Sequence, residues 1–167
     1  LQDFTMLEGY GAYLNYQDNM KFLQEMIQTV VKNLFGKLEL TIDGVTVDIS
    51  GDWESISMRD LILKYTPIDI YEYDTKEKLL EKIKTEKIEI DSETPLENLG
   101  YGNLVDQLYK KVARPHVVKP CFLTKHPISL SPLARANDDN PNLTDRFQLI
   151  INGAEIINAY SELVDPI

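Results

Sequence analysis

Five polar side chains set the chemistry open to this sequence. Glu155, Asn158 and Glu162 sit in INGAEIINAYSELVDP, residues 151–166, and Glu8 and Tyr10 sit in FTMLEGYGAY, residues 4–13. Both stretches otherwise read as β-strand, rich in aliphatic and aromatic residues. A carboxylate in such a place is costly unless it is paired or hydrogen-bonded. Two carboxylates facing one hollow repel, so the hollow favours a cation. Glu8, Tyr10 and Glu162 around a shared cavity suit an ammonium ion, each charge-assisted hydrogen bond contributing about 1.5–3 kcal/mol.

Spacing decides which of these groups can meet. In a regular strand Asn158, Tyr160 and Glu162 share a face, as do Phe4, Met6, Glu8 and Tyr10. Glu155 lies an odd number of steps from Asn158 and belongs to the opposite face. A bulge or bend between Ile156 and Asn158 would bring it across. The plainer alternative is a two-sided sheet in which these groups meet water or arginine partners, with Glu8 and Tyr10 on the exposed face of an edge strand. Other candidates carry less. His126 and Ser131 lack a nucleophile elbow, which sets a hydrolase aside. His116 follows Pro115 at a helix end and reads as structural. Gly9 with Gly11, and Gly100 with Gly102, are too sparse for a nucleotide fingerprint, and YGNL at residues 101–104 lacks phosphate-loop spacing.

The elements that must position these groups follow from periodicity. The 167 residues are enough for one domain with a real core. A helix is expected over residues 17–35, where Met20, Leu23, Met26, Ile27, Val30, Val31 and Leu34 recur at helical spacing, with Asp18 as N-cap and Gly36 as the stop. Asp43-Gly44 is a hairpin turn that puts Leu38, Leu40, Ile42, Val45, Val47 and Ile49 on one face. Three helical stretches follow: residues 57–65 with Ser57 capping and Asp60 answering it, residues 74–87 with Asp74 and Glu77 in the same roles, and residues 103–117. The charge run from Lys76 to Glu89 reads as a solvated helix face. Sheet character returns at residues 119–124, a polar loop spans 125–144, and strands close the sequence. Strand, helix, hairpin, helices, strand, loop, strands favours α+β with an antiparallel sheet. The expected division is 1–51 and 116–167 as two parts of one core, with 52–115 a helical insertion between them.

Composition excludes several classes. Acidic residues number 27 against 17 basic, a net charge of -10, which repels a phosphate backbone and suits a cationic ligand. The one cysteine, Cys121, excludes an internal disulfide within these residues and a multi-cysteine zinc site, and two histidines leave little scope for histidine-rich metal chemistry. No apolar run is long enough to cross a bilayer and the start shows no signal-peptide pattern, so a cytoplasmic setting is expected.

The segments in their order resemble the class II lysyl-tRNA synthetases. DFTMLEGYGAYLNYQD, residues 3–18, is similar to the strand closing the family's second signature motif and the helix after it. Residues 102–135 resemble the run into the family's Ser-Pro-Leu-Ala loop, here Ser131 to Ala134 and followed by Arg135. NPNLTDRFQLIINGAEIINAYSELVDP, residues 140–166, resembles the strands lining the lysine and ATP site. The resemblance implies the family's antiparallel sheet with a helical insertion. It implies that Glu8, Tyr10 and Glu162 hold the lysine ammonium. Asn158 would sit near the substrate carboxylate and the ATP phosphates, and Glu155 would help hold Mg2+ on those phosphates. The implied chemistry is attack of the lysine carboxylate on the α-phosphate of ATP, then transfer to tRNA(Lys). Positioning and charge neutralisation carry that reaction, and no side chain acts as a catalytic nucleophile.

Some positions depart from the family pattern. Gln148 stands where a second metal-binding glutamate is usual, Ala154 where a basic residue is usual, Val164 where asparagine is usual, and Gly9 where an apolar residue is usual. The arginine of the second motif, the Gly-rich third motif, the first motif and the anticodon-binding barrel fall outside the sequence. The expectation is a piece of a catalytic core, inactive by itself, whose parent is a homodimer that meets tRNA(Lys) through other parts. The alternative is a lysine-binding paralogue, either a protein-lysylating ligase or a non-catalytic regulatory module; Ser131 to Arg135 favours the tRNA enzyme over the former.

Overall fold

The computed structural model describes Asp3 and residues 5–164. Its first regular element is α1, Tyr16–Phe35, closed by Gly36 in the left-handed conformation at φ 71°. Asn15, one residue before the helix, is the N-cap: its Oδ1 accepts from Gln17 N and Asp18 N at 2.9 and 3.0 Å, and its own N–H donates to Asp18 Oδ2 at 3.0 Å. Asp18, expected as the cap, is instead the third helical residue and completes the reciprocal box. The hairpin forms as expected. Strands β1 (Glu39–Ile42) and β2 (Val45–Asp48) pair antiparallel around Asp43-Gly44, with both turn residues at positive φ.

The main sheet has four strands in the order β3-β4-β5-β6. They are β3 (Glu54–Ser57), β4 (Cys121–Thr124), β5 (Arg146–Ile151) and β6 (Ala154–Tyr160). Strands β4, β5 and β6 pair antiparallel, but β3 runs parallel to β4. The fold is α+β with a mixed rather than wholly antiparallel sheet. Nor is the stretch 52–115 helical throughout, because β3 lies inside it. Its helices are α2 (Met58–Tyr65), α3 (Lys76–Thr85) and α4 (Tyr101–Val112). Ser57 caps α2 as expected, accepting from Asp60 N. Thr75, not Asp74, caps α3; Asp74 instead holds Lys78 Nζ at 2.8 Å, one turn on.

Two apolar cores sandwich the main sheet, and alternation along β4 and β5 assigns residues to them. Phe122, Phe147, Leu149 and Ile151 face α1 and the hairpin, with Val31, Val47, Ile49 and Trp53. Cys121, Leu123 and Ile150 face the other way, under Met58, Leu61 and Ile62 of α2, Leu79 and Ile83 of α3, and Leu104 and Leu108 of α4. The helical stretch therefore shares its core with the sheet. Of the six hairpin residues expected on one face, Val47 and Ile49 are buried and Leu38, Leu40 and Ile42 pack beside them, while Val45 stays 39% exposed.

The expected strand over residues 4–13 is not formed within residues 5–11, and Phe4 lies outside the described residues. A strand persists only with a ladder partner, and Gly9 and Gly11 weaken this one from within. The turn at Ala12-Tyr13, with Tyr13 at φ 62°, then breaks the extended run. Met6 and Leu7 remain 65% and 82% exposed, so no core is there to reward the period-two pattern.

Candidate functional site

Strand β6 carries the answer to how Glu155 and Asn158 could act together. Gln148 pairs with Asn158 and Leu149 with Ile157, yet Ile150 pairs with Glu155. One residue, Ile156, is extra. This β-bulge brings Glu155 to the face of Asn158, one of the two arrangements that sequence parity left open. Side-chain geometry agrees: Gln148 Nε2 donates to Glu155 Oε2 at 2.8 Å, and Arg146 Nε donates to Asn158 Oδ1 at 2.8 Å. Arg146, Gln148, Glu155, Asn158 and Tyr160 thus form one polar field on the side of the sheet that elsewhere bears α2, α3 and α4.

Burial differs from expectation. Glu155, Asn158 and Glu162 are exposed, because β6 is the edge strand and the helices stop short of it. Buried polar groups lie one strand further in. Gln148 is 6% exposed and His126 1%. The Gln148 carboxamide lies against the His126 imidazole, although neither ring nitrogen nor Gln148 Oε1 completes a hydrogen bond. Burial first, then the charge of Arg146, holds the imidazole neutral, its pKa lowered to about 3. Ser131 spends its hydroxyl oxygen on Arg146 Nη1 at 2.8 Å, consistent with setting a hydrolase aside. Burial lowers the Arg146 pKa, while Glu155 and Asp106 act in the opposite direction.

The loop of residues 125–144 forms the wall beside this field, and it is tightly stitched. Ile128 N donates to Asn142 O, Thr144 N to His126 O, and Asn137 Nδ2 to Asp145 Oδ1 at 2.7 Å. Its Ser131 to Arg135 segment runs against the end of β6. Arg135 N donates to Ser161 O at 2.8 Å, Leu163 N to Leu133 O at 3.0 Å, and Ala134 bridges Glu162. Gly102 explains how the loop comes so near α4. A Cβ there would lie 2.6 Å from Ser129 Oγ and 3.1 Å from Ser129 C, so glycine admits the turn at Ile128–Leu130.

Glu8 and Tyr10 are not brought into this field by a strand. Both are exposed on irregular chain, Tyr10 at 89%. One tether runs from their side: Tyr16 N, at the start of α1, donates to Ser161 Oγ at 3.1 Å, next to Glu162. A hollow of about 370 Å3 lies elsewhere, lined by Asp48, Trp53, Glu54, Lys64, Tyr65 and His116, and includes none of the five candidate residues. His116 stacks on Tyr65 there, ring centroids 4.5 Å apart.

By itself the donor set offers little to a divalent cation. Among the described residues no group of three or more His, Cys, Asp or Glu side chains could hold a metal. Glu155 offers a carboxylate, whereas Gln148 turns its NH2 toward that carboxylate rather than an oxygen. Such a set fits Mg2+ only where phosphate oxygens and water supply most ligands, which is how this ion is commonly bound. Arg146 lies outside the candidates that the sequence singles out. The signal was present in RFQL, where Arg146 and Gln148 alternate with Phe147 and Leu149 and so mark a polar face.

The chain is 42% identical to lysine–tRNA ligase of Dehalococcoides mccartyi strain BAV1 over 165 residues, which is 99% of this chain and 32% of that protein. It is 38% identical to lysine–tRNA ligase of Thermosipho africanus over 165 residues, 99% of this chain and 31% of the relative. Against lysine–tRNA ligase of Escherichia coli K12 it is 36% identical over 167 residues, 98% of this chain and 32% of the relative. The chain spans about a third of the length of these relatives. A family model described as class II tRNA synthetases (D, K and N) matches residues 1–167, and the chain belongs to that family.

Proposed function

We propose that this chain lines the amino-acid and ATP site of a lysine–tRNA ligase, as part of a longer protein that activates lysine with ATP and transfers it to tRNA(Lys). The bulge at Ile156 is the observation that carries the reading, because it gives Glu155 and Asn158 a common face beside the Ser131 loop. The names of the relatives, lysine–tRNA ligase in each case, supply the substrate. In this reading Glu162, together with Glu8 and Tyr10, meets the lysine ammonium. The tether from Tyr16 to Ser161 supports it by bringing the chain before α1 toward Glu162. Asn158 meets the lysine carboxylate and the ATP phosphates, and Glu155 contacts a phosphate-borne Mg2+. When bound, that ion neutralises phosphate charge as it develops.

The field accounts for selectivity in physical terms. A carboxylate set to meet an ammonium is left unpaired by an amino acid lacking one. In the same reading, residues 52–115 form a helical insertion between the core parts 1–51 and 116–167, and the whole protein works as a cytoplasmic homodimer. Among the described residues no helix is long and apolar enough to cross a membrane.

The test is Glu162→Gln in the whole protein, followed by lysine-dependent exchange of pyrophosphate into ATP. The lysine KM should rise about tenfold or more, the loss of one charged hydrogen bond, while ATP affinity by calorimetry stays near that of the unsubstituted protein. Equal losses for both substrates would remove the ammonium role.

A further inference from the structure

We infer that Arg146 is a positioning residue: it ties the Ser131 loop to the substrate strand and fixes which end of the Asn158 carboxamide faces the ligand. The inference rests on the role given above to Asn158. Three hydrogen bonds carry it. Arg146 Nε donates to Asn158 Oδ1 at 2.8 Å, and Nη1 donates to Ser131 Oγ at 2.8 Å and to Leu130 O at 3.2 Å. All three acceptors are neutral oxygens. Among the described residues no carboxylate lies within ion-pair distance of this guanidinium, although Glu155 and Asp106 are near enough to favour its charge. A half-buried arginine without a direct carboxylate partner is costly to place. Its planar fork instead joins two elements that are distant in sequence.

The direction of the Asn158 amide follows from hydrogen-bond chemistry. A guanidinium has donors and no acceptor. The Asn158 atom facing it is therefore the oxygen, and the Nδ2 donors are left for an acceptor above the sheet. Asn158 is exposed, so that acceptor can come from a ligand. The fitting chemistry is an anionic oxygen, carboxylate or phosphate. The other end of the clamp is rigid, because Gly102 lets the turn at Ile128–Leu130 seat against α4. An orienting group anchored on packed elements holds its partner more precisely than one on a free loop.

The experiment is a double-mutant cycle in the whole protein, read by the KM for lysine in pyrophosphate exchange. Asn158→Ala should raise that KM about tenfold or more, Arg146→Met should raise it similarly, and the double variant should be no worse than the poorer single one. The kcat should stay within about threefold, since what is lost is uniform binding. Arg146→Lys keeps the charge without the fork and should recover less than about half of the loss. Should Arg146→Met fail to fold, Ser131→Ala removes one anchor and should raise the KM about two- to fivefold, with no further effect on top of Asn158→Ala. Multiplicative effects in the cycle, an unchanged KM in Arg146→Met, or full recovery by lysine would each overturn the positioning role while leaving that of Asn158. A silent Asn158→Ala would overturn both.

Discussion

One face of the main sheet is built in two ways. Over β4, and over the end of β5 at Ile150, helices α2, α3 and α4 cover it with close-packed apolar side chains, and Leu104, Leu108, Leu123 and Ile150 are fully buried. Over β6 and the start of β5 no helix intervenes, and the same face carries Arg146, Gln148, Glu155 and Asn158. Where partner helices exist, period two selects aliphatic residues. Where they stop, the same period selects groups able to hold charge. The transition falls within β5, between Gln148 and Ile150. Stability and the proposed ligand chemistry are thus neighbours on one strand, and substitutions should separate them.

The largest effect is expected on the covered side. Leu108→Ala should destabilise the whole protein by about 2–5 kcal/mol, the cost of an aliphatic cavity, as read by urea or thermal unfolding. Its lysine KM below the unfolding temperature should stay within about twofold of the parent. A shift in KM with little loss of stability would break the contrast. Glu162→Gln on the open side should do the reverse, with the KM change given above and unfolding unaltered within about 0.5 kcal/mol.

His126 lies beneath the open side and sharpens the boundary. Its imidazole is neutral when folded, with the pKa lowered to about 3 by burial. An unfolded chain binds the proton near pH 6.5, so the stabilising contribution is complete above that pH and is lost as pH falls toward the folded value. At pH 5 the loss should be about 2 kcal/mol. His126→Asn should flatten the profile between pH 7 and 5, whatever its effect at neutral pH. An equally steep profile would show that other groups govern acid stability. The smallest effect belongs to Asn15, on the other side of the sheet. Asn15→Ala should cost about 1 kcal/mol through loss of the cap, with lysine KM unchanged despite the nearby tether from Tyr16 to Ser161.

Local signals predicted local structure well. The 3.6 period of α1, the Asp43-Gly44 turn and the Ser57 cap each depend on neighbours within a few residues, and each formed. Parity along β6 marked a bulge or bend as the condition for Glu155 and Asn158 to share a face, without deciding between that and a two-sided sheet. Non-local partners were harder to read. Strand β3 is four residues long and pairs in parallel with β4, far away in sequence, so ESIS carried too little pattern to mark it. The stretch before α1 erred in the opposite direction: its alternation is clear, but no ladder partner stands beside residues 5–11. Arg146 was legible as polar, while its role depends on Ser131 and Asn158, which only folding brings within reach. Gly102 reads in sequence only as too weak a nucleotide signal, whereas its reason is steric, set by a turn 26 residues further on.

The single extra residue at Ile156 has a consequence for how this strand can change over time. Removing Ile156 would leave Glu155 two positions from Asn158, the separation that shares a face in a regular strand, so the bulge would vanish while the common face stayed; a substitution at Ile156, which is 51% exposed, leaves both intact. Lineages sharing this strand should therefore vary freely in what occupies the bulge, and those that lose that residue should lose the bulge rather than the common face of Glu155 and Asn158.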